Sequence, residues 1–174
     1  MKLPVRRIGF LVMGVLCVVA TSPEAEAGTS TANLSVTATI ASNCTISTAP
    51  VAFGSYDPIV THASAALDGT GTITTTCTTA SSPVITLGQG ANGDTGSTDA
   101  APLRQMASGS DRLPYTLYQN AGRTTVWGNT SGTAPSTVAG SGIAQNFTVY
   151  GRIAPGLNKP VGSYADTVVA TVTF

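Results

Sequence analysis

Charge is scarce in this chain. Asp, Glu, Lys and Arg make up 9% of its 174 residues, eight basic against eight acidic. No basic patch or polybasic stripe occurs, which removes nucleic acid and anionic membrane surfaces as partners. Histidine appears once, at His62. A lone imidazole leaves a Ser-His-Asp site to an unseen tertiary arrangement, and no G-x-S-x-G elbow supports one. The carboxylates are scattered, without the pairing that glycoside hydrolysis uses. Too few Cys and His residues remain for a metal site, and no C-x-x-C occurs. No catalytic residue, metal or cofactor is expected, and the chain does not read as an enzyme. Helix signals are also missing: no apolar 3.6-residue period is sustained after the first 27 residues.

Long apolar runs are absent beyond one at the start. Lys2, Arg6 and Arg7 form a basic opening, and Ile8 to Ala20 is apolar but too short to span a membrane. Ala25-Glu26-Ala27 fits a small-x-small cleavage site. Residues 1–27 are therefore expected to be a signal peptide, with the exported chain starting at Gly28. Membrane insertion is not expected.

Of the three cysteines, Cys17 leaves with the leader. Cys44 and Cys77 remain, an even count in an exported chain, and are expected to form a disulfide. In the chain-entropy picture such a loop contributes about 3–4 kcal/mol.

What is abundant is Thr, Ser, Gly and Val in short alternating runs. Leu34, Val36, Ala38 and Ile40 alternate with Ser35, Thr37 and Thr39. Val168, Ala170, Val172 and Phe174 alternate with Val169, Thr171 and Thr173. Between them, residues 44–53, 71–78, 83–87, 113–119, 124–127 and 145–153 look extended. Residues 88–102 and 129–142 are Gly-, Ser- and Thr-rich loops. Seven or eight short strands in one domain predict an all-β immunoglobulin-like sandwich. A final strand with no further chain to cover its edge is a template for pairing. The opening strand could fill that role for a neighbour, so the sandwich is expected to be incomplete and finished by strand exchange between subunits.

Two motifs need weighing. Gly88 to Gly93 matches G-x-G-x-x-G, but a dinucleotide site needs a helix at that point, and Asp94 to Thr98 carries no helical pattern. A hairpin loop is the expected reading. The aromatic residues Tyr115, Tyr118, Trp127, Phe147, Tyr150 and Tyr164 either pack the sandwich or, with Tyr118, Trp127 and Tyr150 exposed, offer a sugar platform. His62 is expected on a surface loop.

Leu113-x-Tyr115-x-Leu117-Tyr118, Arg123, Val126-Trp127-Gly128, Val149-Tyr150-Gly151-Arg152-Ile153 and Gly162-Ser163-Tyr164-Ala165-Asp166-Thr167-Val168 follow in order, with Leu87-x-x-Gly90 and Arg104-x-Met106 upstream. This ordered set resembles the spore coat protein U (SCPU) domain family, which includes subunits of archaic, Csu-type chaperone–usher pili. The resemblance implies an immunoglobulin fold lacking its last strand. It implies a periplasmic chaperone that holds the gap, an outer-membrane usher, and related pilin subunits that donate their N-terminal strands.

The organisation expected is therefore a leader (1–27), a donor strand (28–40) and a sandwich domain (41–174). Leu34, Val36, Ala38 and Ile40 are the donor side chains. Val168, Ala170, Val172 and Phe174 line the acceptor edge. The function expected is that of a structural pilus subunit, exported through the periplasm to the cell surface and supporting adhesion or biofilm formation. The alternatives are a secreted coat or matrix protein of the same fold, and a carbohydrate-binding module.

Overall fold

The computed structural model describes residues 23–137 and 139–174. The basic opening and apolar run of the expected leader, with Cys17, lie outside the described residues. Residues 23–38 carry no regular element, and Leu34 and Val36 are both more than four-fifths exposed. The domain proper is the unit Thr39–Phe174.

Among the described residues seven strands build it: β1 (Cys44–Ala49), β2 (Leu67–Cys77), β3 (Val84–Leu87), β4 (Arg104–Ser108), β5 (Asp111–Tyr118), β6 (Ala144–Ile153) and β7 (Ala170–Thr173). They form a five-stranded sheet in the order β1-β2-β6-β5-β4 and a two-stranded sheet of β3 and β7. All named pairings are antiparallel. One 3-10 turn, Ser131–Thr133, is the sole helical element among the described residues.

Period-two alternation sets the core. Ile73 of β2, Leu113, Tyr115 and Leu117 of β5, and Val149 and Ile153 of β6 point inward from the large sheet. Ile85 and Leu87 meet them from β3, and Trp127 fills the space between, fully buried, with its indole N–H donating to the Ile85 carbonyl at 2.9 Å. Two short sheets packed across one core make the immunoglobulin-like sandwich expected from the strand pattern.

The disulfide joins Cys44 to Cys77, which are the first residue of β1 and the last of β2 and are paired directly across the ladder. It clamps the start of β1 to the larger sheet. The elements differ from expectation in several places: residues 124–127 form no strand but only the bridge from Val126 to Tyr118, and β1 ends at Ala49 rather than at residue 53. β2 begins earlier than residue 71, because Asp68 and Gly69 continue its pairing with β6. β4 is a strand with no alternating apolar signature, since Arg104 rather than an apolar residue is its most buried side chain. The last strand is shorter than residues 167–174, because β3, its ladder partner, is itself only four residues long.

Candidate functional site

β1 lies at one edge of the large sheet, and its inner face is uncovered. Ile46 opposes Thr75 and Thr48 opposes Ile73. Both β2 residues are 2% exposed, whereas Ile46 is 37% exposed and Thr48 is exposed too. Directly opposed residues share a face, so the inner face of β1 is left open while that of β2 is covered.

The chain then leaves the ladder at Pro50 and runs over three glycines of the inner face. Val51 and Phe53 lie on Gly69, Gly71 and Gly151, where any Cβ would press on them. At Gly71 it would stand 2.7 Å from Val51 Cγ2 and 2.9 Å from the Ala49 carbonyl. Small residues at these sites let residues 49–53 sit against the sheet as a wall.

A second wall faces it, made by Tyr164 to Val168 and Ala170. Between the two lies a cleft of about 490 Å³ whose floor includes the core side chains Ile73, Leu87, Leu117 and Val149. A second cleft of about 770 Å³ shares Val51, Phe53, Met106 and Tyr164 with the first and extends toward Tyr56, Leu157 and Pro160. Together they make a groove running along the core.

The far wall is pinned by buried polar groups. Arg104, 1% exposed, donates from Nε to the Gly88 carbonyl and from Nη2 to the carbonyls of Leu87 and Trp127. Burial pulls its pKa down to about 10, opposed by the nearby Asp166 carboxylate. The Tyr115 hydroxyl donates to Asp166 Oδ2 at 2.6 Å. Its burial, and then that hydrogen bond, push the phenol well above its ordinary range.

The expected acceptor residues divide. Val168, Ala170 and Val172 are half-buried and pack on the core, while Phe174 is 51% exposed. β7 is bonded to β3 on one side, Ala170 opposite Leu87 and Val172 opposite Ile85. Among the described residues it has no ladder partner on its other side. The expected donor residues Leu34, Val36, Ala38 and Ile40 are exposed and carry no strand, since a strand needs a ladder partner.

Several readings are corrected or given a place. His62 is buried rather than on the surface: its ring stacks on Tyr56 at 5.0 Å, and Nδ1 accepts the Asp57 N–H. Trp127 is fully buried and cannot stack on a sugar, which removes the centre of the proposed Tyr118, Trp127 and Tyr150 platform. The G-x-G-x-x-G stretch opens no helix; its turn wraps the Asp166 carboxylate. The roles of Arg104, Asp166 and the three glycines were not legible as chemistry, because none sits in a chemical motif.

Among the described residues, no helix is long and apolar enough to cross a membrane, and no group of three or more His, Cys, Asp or Glu could hold a metal.

Residues 30–171 match the family model described as the Spore Coat Protein U domain. The chain is 46% identical over 164 residues to Protein U of Myxococcus xanthus, covering 90% of each. Its fold is similar to a chain of the CsuC–CsuE chaperone–tip adhesion subunit pre-assembly complex from the archaic chaperone–usher Csu pili of Acinetobacter baumannii. That likeness has a TM-score of 0.54 at 22% identity and covers 78% of this chain. It spans 40% of the solved chain.

Proposed function

Because the chain belongs to the Spore Coat Protein U domain family, we propose that it is a non-enzymatic structural subunit of a surface pilus, completed by a β-strand from another copy. The observation that carries this reading is the groove: two walls, a floor of core side chains, and a β7 edge bonded only to β3 among the described residues. A missing strand is the simplest occupant of such a space. The segment that fits it is residues 34–40 of a neighbouring subunit, where Leu34, Val36, Ala38 and Ile40 alternate. Burying three or four such side chains is worth about 5–10 kcal/mol before ordering costs. Ladder bonds to β7 and to the 49–53 wall add about 0.5–1.5 kcal/mol each.

Strand donation from one copy to the next is a head-to-tail contact, and one that does not close gives an open fibre. Thirteen residues from Gly28 to Ile40 reach about 40 Å when extended, enough to cross a neighbouring domain. Before assembly, a periplasmic chaperone would cover the groove, and an outer-membrane usher would exchange it for the donor. The fold likeness to a subunit of a chaperone–usher pre-assembly complex supports this route. The product would stand on the cell surface and serve adhesion or biofilm formation.

A second reading keeps the fold and the strand exchange but places the protein in a coat or matrix. It is favoured by the family's description and by the 46% identity to Protein U. A requirement for a dedicated chaperone and usher separates the two.

The test compares residues 28–174 with a version lacking 28–40, by size-exclusion and thermal melting, with and without a peptide of residues 28–40. The longer chain is expected to form multimers, and the shorter one to stay monomeric and melt higher with peptide. A stable monomer that loses nothing on truncation and ignores the peptide overturns strand exchange.

A further inference from the structure

The far wall of the groove is not a strand. β7 begins at Ala170, and upstream of it the wall has one ladder contact, the bridge from Ala165 to Ala107. Two single backbone bonds, from the Gly88 and Ala91 N–H groups to the Val169 and Thr167 carbonyls, add to that bridge, and an inward carboxylate completes the hold. Asp166 Oδ1 accepts from the Ala91 N–H at 2.9 Å, the Asn92 N–H at 3.2 Å and Asn92 Nδ2 at 3.0 Å, while Oδ2 takes the Tyr115 hydroxyl. Carboxylate hydrogen bonds of this kind are the strong ones. The turn that supplies three of these donors passes through Gly90 at φ +87°, where a Cβ would collide with Asp166 Oδ2. Beneath it, Arg104 gathers the carbonyls of Leu87, Gly88 and Trp127. Asp166 and Tyr115 both line the cleft, so one side-chain pair ties the wall to the floor.

We infer that Asp166 is a positioning residue: with Tyr115 and the Gly88–Asn92 turn, it sets the 164–168 wall in place while the groove is empty, so an arriving strand need not order it. The inference rests on the strand-accepting role proposed above. A preformed wall speeds capture, because ordering is removed from the binding step. A residue that only stabilised the filled groove would act on release instead.

The test uses the full chain with Asp166→Ala, and with Tyr115→Phe as the milder variant that keeps the Ala91 and Asn92 bonds. Emission from buried Trp127 and an intact Cys44–Cys77 bridge report the fold. Two quantities are read: hydrogen exchange of the amides of residues 165–168, and uptake and release of an excess labelled peptide of residues 28–40. In Asp166→Ala the amides are expected to exchange faster and uptake to slow by about 10- to 100-fold, the factor carried by a charge-assisted hydrogen bond, with release little changed. Tyr115→Phe moves both readouts the same way by less, and it carries the test if Asp166→Ala does not fold. Wild-type uptake rates in the variants, or faster release with unchanged uptake, overturn the inference while the strand-accepting role stands. No uptake by the wild-type chain overturns that role and the inference with it.

Discussion

Replacing Gly71 with Ala tests the near wall of the groove through a change of sign. Gly71 is buried in β2 and has no positive φ, so alanine can adopt its backbone. On backbone grounds alone, Gly→Ala in a strand stabilises by about 0.5–1 kcal/mol. The added Cβ, however, would stand 2.7 Å from Val51 Cγ2, 2.9 Å from the Ala49 carbonyl and 3.0 Å from the Pro50 carbonyl carbon. Two of these three atoms are backbone, which cannot swing aside as a side-chain tip can. Overpacking of this kind costs about 1–3 kcal/mol, so the net effect is destabilising. Setting the middle of that cost against the backbone gain leaves a loss of about 1.2 kcal/mol, which lowers the midpoint by about 0.8 M for an m-value of about 1.5 kcal/mol per molar urea. Trp127 emission follows the transition, since the one tryptophan is fully buried. Gly151→Ala is the internal comparison. Its Cβ meets Val51 Cγ1 and Phe53 Cζ at 2.7 Å, both side-chain ends, and it should lose less than Gly71→Ala. A Gly71→Ala midpoint equal to or above wild type would refute the claim that residues 49–51 are seated on β2.

Other outcomes follow from the same structure. Replacing Cys44 and Cys77 together with Ser should cost about 3–4 kcal/mol for a loop of this size and free the start of β1, read as a lower melting temperature with faster amide exchange at residues 44–49. Val36→Asp should abolish multimers on size-exclusion and lower the Trp127 melt to that of the chain lacking residues 28–40, because a donor strand would carry an unpaired carboxylate into an apolar groove and the groove would stay empty. Multimers persisting in that variant would remove Val36 from the interface. Asp57 is held below the ordinary carboxylate range by the Ile59 N–H first and then the Val60 N–H. A depressed pKa stabilises above the unfolded value and loses that contribution as pH falls through the lower folded value. The amide resonances of Ile59 and Val60 should therefore shift with a midpoint below about pH 3.9, and a midpoint at or above that value refutes the cap.

The sandwich was legible because its signal is local. Alternation at Leu113, Tyr115 and Leu117, and at Phe147 and Val149, is the pleat itself, and the two cysteines left after the expected leader had only each other. β4 escaped because its inward residue is an arginine whose charge is met by carbonyls from β3 and from Trp127, far away in sequence. His62 escaped for a similar reason: its burial depends on stacking with Tyr56 and on the Asp57 N–H. The sequence carried the expectation of an uncovered edge at the last strand but no sign of the wall at residues 49–53. That wall exists because Gly69, Gly71 and Gly151 meet across β2 and β6, and in a chain with 19 glycines no pattern marks those three as a set. Asp166 entered only as one position of the family-like run Gly162 to Val168, with no role attached. Its partners come from residues 91, 92 and 115, which only the fold brings together.

The central claim is that residues 34–40 of one copy occupy the groove of another. A photo-reactive amino acid at position 36 tests it directly, in multimers grown from a mixture of isotopically heavy and light chains. The account predicts adducts that join heavy to light chains and map to the groove, on residues 46–53 or 164–172. Adducts confined within single chains, or falling on the outer face of the large sheet, would contradict it.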